Sequence, residues 1–237
     1  MEKTKNYYLS PYKKVIPQSS YKSNLDLGKV KPKPFKGTEL AKCDVLPIET
    51  QTKQFLNSSK TVTIYPYSDT QRVYRLDGTN GKEIYLQHRN REQIWEAGVG
   101  DSSWPLYTRG LPKDLSGDTI LLAEGEKVAE HLKSQGFACV TAASHCFNQD
   151  SLYKSIYLFS RTFRQIKHAI IIPDDDTPGL HKAEIVSLVM SHFNIGNKIV
   201  SMQAIGRKFN LSFEPNHGTD LADFDLKLNL SDLCLTT

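Results

Sequence analysis

An alternation of short apolar segments with segments of helical periodicity, from about residue 118 to residue 205, most constrains how this chain folds. The apolar segments predict strands at Thr119–Ala123, Ala138–Ala143, Ala169–Ile172 and Lys198–Ile205, and the intervening sequence predicts helices over 125–135, 150–165 and 180–192. Strands that are apolar throughout are typical of a parallel sheet covered by helices on both faces. Crossovers in such sheets are right-handed, so we expect the carboxyl ends of the strands to meet at one edge.

Residues 61–115 show a different pattern, in which apolar and polar residues alternate over segments of about five residues, at 61–65, 72–76 and 84–88. Alternation with period two predicts strands that are buried on one face. The sequence Asp77-Gly78-Thr79-Asn80-Gly81 between the second and third segments predicts a hairpin loop, because these residues tolerate positive φ. We therefore predict a small antiparallel β-rich module before an α/β domain at 116–237.

The first 60 residues hold 12 lysines and five acidic residues, a net charge of +7, whereas the whole chain has a net charge of only +4. Five of the eleven prolines also lie here, and proline favours extended backbone. We predict an extended basic arm or linker over residues 1–60. Such an arm either attracts phosphate or keeps the protein soluble, and the composition leaves both open.

Several classes of protein are excluded by what the sequence lacks. No apolar run is long enough to span a bilayer, and the amino terminus has no apolar stretch typical of a signal peptide. Four scattered cysteines do not form a disulfide framework, and residues 1–60 contain only Cys43, so no zinc is expected there. The expected location is the cytoplasm, without membrane association.

Acidic residues follow three of the predicted elements. Glu124 follows the first strand, Asp174 and Asp176 follow the third, and Asp220 and Asp223 come after the fourth. Each acid alone is explained equally well as a helix cap or a turn residue. Together at one sheet edge they would repel one another unless a cation lay among them. Carboxylate oxygens favour Mg²⁺ or Mn²⁺, and such a cation is what phosphoryl transfer requires.

Glu124-Gly125 after one strand, with Asp174-x-Asp176-x-x-Gly179 after another, resembles the TOPRIM domain. That domain occurs in bacterial-type primases, type IA and type II topoisomerases, and OLD-type nucleases. The segments 124–127 (EGEK) and 218–224 (GTDLADF), and the preceding β-rich stretch, look most like phage and plasmid DNA primases. The resemblance implies a Rossmann-like, mostly parallel sheet flanked by helices.

The resemblance also implies roles for individual residues. Glu124 would be the acid/base carboxylate or a metal ligand, and Asp174 and Asp176 would bind the divalent cation. Asp220 and Asp223 would complete a second metal site.

Three further residues follow from the same comparison. Asp175 would point away from the metal, and Gly179 would let the chain turn tightly into the next helix. At His145 the chain departs from phage-type relatives, many of which carry glycines there.

Cationic side chains among aromatic residues of the β-rich segment predict contacts with nucleic acid. The candidate residues are Arg72, Arg75, Lys82, Arg89 and Arg91, with Lys127 from the first helix. Cations contact phosphates, and aromatic rings such as Trp95 stack on unpaired bases, although strand aromatics also serve as core.

These observations predict a Mg²⁺-dependent protein that acts on DNA, with primase-like nucleotidyl transfer on a single-stranded template as the first hypothesis. The expected partners are the template strand, nucleotides and a replicative helicase or other replication protein. A TOPRIM nuclease would use the same acids to hydrolyse phosphodiesters. A non-catalytic accessory that binds DNA or a helicase is the third hypothesis.

Overall fold

An antiparallel sheet of five strands in sequential order forms the first part of the molecule. The computed structural model describes residues 49–55, 58–79, 81–112, 115 and 117–233. The strands are β1 (Glu49–Phe55), β2 (Ser58–Pro66), β3 (Gln71–Gly78), β4 (Gly81–Arg89) and β5 (Trp95–Ala97). The predicted hairpin is confirmed, because β3 pairs with β4 from Gln71–His88 to Gly78–Gly81 and Gly81 has a φ of 111°.

The sheet begins earlier than the sequence pattern indicates. Most of the predicted arm, residues 1–48, lies outside the described residues, but β1 and the first residues of β2 fall within 49–60. The predicted boundary at residue 60 therefore lies inside β2. The sequence of β1, ETQTKQF, has almost no apolar residue to alternate, so the strand is recognised only from its backbone pairing with β2.

A parallel sheet with the order β7-β6-β8-β9 forms the second part. Its strands are β6 (Thr119–Ala123), β7 (Cys139–Val140), β8 (His168–Ile172) and β9 (Gly196–Ile199). The helices are α1 (Glu126–Ser134), α2 (Gln149–Thr162), α3 (Thr177–His192), α4 (Met202–Phe209) and the short α5 (Leu230–Leu233), with 3₁₀ turns at Ser144–Cys146 and Leu221–Asp223. The prediction of an α/β fold with a parallel sheet flanked by helices is confirmed.

Right-handed crossovers place the helices on the two faces of this sheet. The chain moves from β6 outward to β7 through α1, then back across β6 to β8 through α2, and outward again to β9 through α3. Accordingly α2 and α3 contact each other on one face, while α1 contacts the turn Leu221–Asp223 on the other. Among the described residues, no helix combines the length and apolar character needed to cross a membrane.

The predicted fourth strand, Lys198–Ile205, is wrong in its second half. β9 ends at Ile199, and Ser201 caps α4 by accepting a hydrogen bond from the Ala204 backbone N–H. An apolar run alone does not distinguish a strand from a buried helix. Here the capping residue Ser201 marks the start of a helix.

The segment between the sheets joins them into one core. Tyr107 forms an isolated antiparallel bridge with Thr141, just beyond β7. The ring of Tyr67, which follows β2, lies 5.2 Å from the rings of both Trp104 and Tyr107, and all three side chains are buried. Because this core is shared, one face of the antiparallel sheet lies over the carboxyl ends of the parallel strands.

Candidate functional site

A cavity of about 280 Å³ lies between the carboxyl ends of the parallel strands and the antiparallel sheet. Its lining contains the carboxylates Glu124, Glu126, Asp174, Asp176 and Asp220 and the cations Arg75, Lys82, Lys127 and Lys182. The acids come from the ends of β6 and β8 and from the loop before the turn Leu221–Asp223. Most of the acids and half of the cations predicted from sequence therefore meet at one place.

Glu124 connects the two central strands at the sheet edge. Its backbone N–H donates to the Ile172 carbonyl (3.0 Å), which continues the pairing of β6 with β8. Its Oε2 accepts a hydrogen bond from the Asp174 backbone N–H (3.3 Å), and its Oε1 is paired with the Lys182 ammonium (2.5 Å). The carboxylate is therefore oriented from two sides.

Asp174 lies among other carboxylates of the cavity. Burial first, and then the negative charges of Glu124, Asp220 and Asp176, raise its pKa to about 8. A carboxylate in such surroundings holds its charge unfavourably unless a cation approaches. A cation bound at this site would therefore favour the charged form of Asp174.

Asp176 and Gly179 form the start of α3. Asp176 caps the helix, and its Oδ1 accepts a hydrogen bond from the Gly179 N–H (2.6 Å). A Cβ on Gly179 would lie 2.7 Å from the Asp174 carbonyl oxygen and 2.8 Å from Glu124 Oε2. The glycine is needed because the helix approaches these oxygens so closely, which is a more specific reason than the tight turn expected from the sequence.

Asp175 points away from the cavity, as expected. It is 8% exposed, its Oδ2 accepts a hydrogen bond from the Asn216 N–H (3.0 Å), and its backbone bridges to Thr219. These contacts fix the loop that carries Asp220 beside the end of β8.

Replacing Asp175 with alanine should therefore destabilise the protein by about 1 to 3 kcal/mol, because the Asn216 N–H loses its partner. Chemical denaturation measures this loss. Replacement of exposed Asp150 by alanine is the control and should change stability by less than about 0.5 kcal/mol. Equal effects of the two substitutions would contradict a positioning role for Asp175.

Lys127 occupies the space between the two acids predicted to form a second metal site. Its ammonium lies 2.6 Å from Asp223 Oδ1 and 3.7 Å from Asp220 Oδ1. Asp223 also accepts a hydrogen bond from the Asp220 N–H, closing a capping box around the turn Leu221–Asp223. Asp223 is exposed and absent from the cavity lining, whereas Asp220 lines the cavity, so of this pair only Asp220 faces the other acids.

Two cavity residues were missed in the sequence. Glu126 is the first residue of α1, accepts a hydrogen bond from the Tyr67 hydroxyl (2.6 Å), and has its pKa raised by burial. Lys182 lies within α3, where a lysine is normally solvated. In the sequence, only the position of Glu126 two residues after Glu124 indicates that it belongs to the site. No feature of the sequence indicates that Lys182 does.

The predicted nucleic-acid contacts divide between the two faces of the antiparallel sheet, since alternate strand residues point to opposite sides. Arg75 and Lys82 line the cavity, although the Arg75 guanidinium is also bound to Asp77 (2.8 Å). On the other face, Arg72 and Arg89 lie 4.0 and 4.9 Å from the ring centre of Trp95.

The remaining predicted residues lie outside the cavity. Arg91 is exposed in the turn between β4 and β5. His145 does not line the cavity, and its ring packs edge-on against Trp104 at 5.0 Å. Cys139 and Cys146 are buried free thiols.

The donor chemistry of the cavity fits a divalent cation. All the acidic ligands are carboxylate oxygens, which Mg²⁺ and Mn²⁺ prefer, and burial together with the neighbouring carboxylates raises the pKa of Asp174. Over residues 49–233, in the parts that the structure describes, no three His, Cys, Asp or Glu side chains stand close enough to form a ready-made metal site. The ligands are therefore suitable in kind and assembled only in part.

No family model matches the chain, and no curated protein matches it. Among solved structures, the chain is similar to the primase fragment of the bacteriophage T7 primase-helicase protein (17% identity, TM-score 0.38, 64% of this chain and 57% of that one). It is also similar to a DNA primase domain from Pseudomonas aeruginosa (14% identity, TM-score 0.39, 73% and 50%). A third neighbour is a structure of the T7 lagging-strand DNA polymerase interacting with primase domains bound to an RNA/DNA hybrid and dTTP (16% identity, TM-score 0.35, 60% and 70%). The match spans only about half the length of the first two solved chains.

Proposed function

We propose that the protein is a Mg²⁺- or Mn²⁺-dependent, TOPRIM-type nucleotidyltransferase that synthesises short primers on single-stranded DNA. The observation that carries this proposal is the cavity with carboxylates on the wall formed by the strand ends and the cations Arg75 and Lys82 on the wall formed by the antiparallel sheet. A nucleoside triphosphate needs both, because its phosphates bind cationic side chains and the metal that it brings binds carboxylates.

The cavity residues would have different roles in such a reaction. Asp174, Asp176 and Asp220 would hold the divalent cation, which supplies neutralisation of the triphosphate charge. Glu124 accepts the proton of the attacking 3′-hydroxyl, and the Asp174 N–H keeps that carboxylate in place. Lys82 attracts the phosphates from the opposite wall.

A primer-synthesis assay tests the proposal. Purified protein is incubated with single-stranded template, labelled nucleoside triphosphates and Mg²⁺ or Mn²⁺, and the products are separated by length. Short oligomers that require both nucleotides and metal would support nucleotidyl transfer. Shortening of the DNA without nucleotides would instead identify a nuclease, and DNA binding without either product would identify an accessory protein.

Substitution of Lys82 by alanine should weaken binding to single-stranded DNA about 3- to 10-fold and reduce the slope of log Kd against log salt by about 0.7. Lys82 is exposed at the cavity wall, so its loss removes one phosphate contact without disturbing the core. Fluorescence anisotropy at several salt concentrations measures both quantities.

Lys167→Ala is the matched control, because Lys167 is an exposed lysine just before β8, at the opposite edge of the parallel sheet. It should leave affinity nearly unchanged. Equal weakening by the two substitutions would mean that net charge, and not the cavity, attracts the DNA.

A further inference from the structure

The side-chain ammonium of Lys182 is a cation of the protein itself that lies in the proposed metal site. Its ammonium is paired with Glu124 Oε1, and the Glu124 side chain is only 12% exposed. Other cavity lysines differ from it in their partners: Lys127 is paired with the acids of the turn Leu221–Asp223, and Lys82 is exposed on the opposite wall.

The position of Lys182 is determined by α3. The helix begins directly after the Asp176 cap, and Gly179 brings its first turn against the Asp174 carbonyl oxygen. The Lys182 ammonium lies 5.7 Å from the ring centre of Phe147, and the side chain lines a small apolar crevice beside Ala183. The apolar stem is thus packed while the charged end reaches Glu124.

An ammonium and a divalent cation cannot both use the same carboxylate oxygen, since two cations at that distance repel each other. While Lys182 holds Oε1 of Glu124, a metal ion loses that oxygen and depends mainly on Asp174, Asp176 and Asp220.

We propose that Lys182 competes with the divalent cation for Glu124, so that the site binds metal weakly until a triphosphate draws the lysine away. The inference rests on the proposed function and specifies how that site is regulated. The phosphates offer Lys182 another anion, and Oε1 of Glu124 would then be released to the metal while the other carboxylate oxygen remains to accept the 3′-hydroxyl proton. Because binding free energies are linked, nucleotide and metal each strengthen the binding of the other.

The test is a titration of the full-length protein with Mn²⁺, followed by electron paramagnetic resonance, without DNA or nucleotide. Replacing Lys182 with methionine keeps an unbranched stem and removes the charge. We expect Lys182→Met to bind Mn²⁺ about 10-fold more tightly than the wild type. Lys182→Gln serves as a second variant, and thermal melting checks that each one folds.

Lys167→Met is the charge control, because it removes an exposed lysine just before β8, at the opposite edge of the parallel sheet, and leaves the cavity intact. It should tighten Mn²⁺ binding less than about threefold. The inference is overturned if Lys182→Met binds Mn²⁺ no better than the wild type, if both substitutions tighten it equally, or if no variant binds the ion.

A second titration tests the coupling. Addition of a non-hydrolysable nucleoside triphosphate should tighten Mn²⁺ binding by the folded wild-type protein, after correction for metal bound by the free nucleotide, and should do so much less in Lys182→Met. An equal gain in both proteins would contradict the exchange of partners by Lys182. Neither titration depends on primer synthesis, so failure of that assay alone rejects the proposed function, and failure of the Mn²⁺ titrations alone rejects the role of Lys182.

Discussion

Primer synthesis by the Glu124→Gln variant is expected to fall at least about 100-fold below that of the wild type. Glutamine has the size of glutamate and its oxygen still accepts the Asp174 N–H, so the local backbone should persist. It cannot accept the proton of a 3′-hydroxyl, and without its charge it is a poor ligand for Mg²⁺. The measurement is the initial rate of oligomer formation at saturating nucleotide.

Glu184→Gln is the control for this substitution. Glu184 is a partly exposed acid on α3, two residues beyond Lys182, and lies outside the cavity lining. Its replacement should change the rate less than about twofold. Retention of more than about a tenth of the wild-type activity by Glu124→Gln would show that this carboxylate transfers no proton and binds no essential metal.

The Asp174→Asn variant should be more stable than the wild type in the absence of metal, and inactive. Burial and three neighbouring carboxylates raise the pKa of Asp174 to about 8, so its charge opposes folding at neutral and alkaline pH. Asparagine has nearly the same shape without the charge. We expect a gain of about 2 kcal/mol at pH 8, less than the full pKa shift implies because water still reaches the carboxylate.

The pH dependence has a definite sign. Folding raises the pKa of this acid. Its contribution to stability is fully present when the pH lies below its pKa in the unfolded state, and it is lost as the pH rises through its pKa in the folded state. The difference in unfolding free energy between the wild type and Asp174→Asn should therefore be small near pH 4 and largest above pH 8.

The effect of Mg²⁺ on the melting temperature provides a second test of this electrostatic account. Mg²⁺ should raise the melting temperature of the wild type, because a ligand that binds only the folded state stabilises it, and should have little effect on Asp174→Asn. Asp150→Asn, which replaces an exposed acid in the first turn of α2, is the control: Mg²⁺ should raise its melting temperature as it does that of the wild type. A destabilised Asp174→Asn variant would contradict the electrostatic account of the cavity.

Hydrophobic periodicity predicted those elements whose side chains are buried. The strands β6 and β8 were located to within a residue, because their apolar runs are buried on both faces of the sheet. The sequence of β1 shows no apolar alternation and so does not predict a strand, and the apolar run that enters α4 suits a strand or a helix equally well.

The candidate site was predictable to the extent that topology alone determines it. Parallel strands bring their carboxyl ends together, so the positions of Glu124, Asp174 and Asp176 in the sequence are enough to assign them to one edge. The pairing of cations with acids was not predictable, because it depends on how each helix is rotated and how closely it approaches the sheet.

The sequence by itself determined where the buried strands of the α/β part lie along the chain and which acids follow them, since burial leaves a periodic pattern of apolar residues. Only the tertiary structure decided which lysine meets which carboxylate. Lys127 reaches Asp223, which is 96 residues away, and Lys182 reaches Glu124, which is 58 residues away. The physical reason is that a salt bridge requires atoms within a few ångströms of each other, and such distances are set by the packing of whole elements, which no local pattern of residues records.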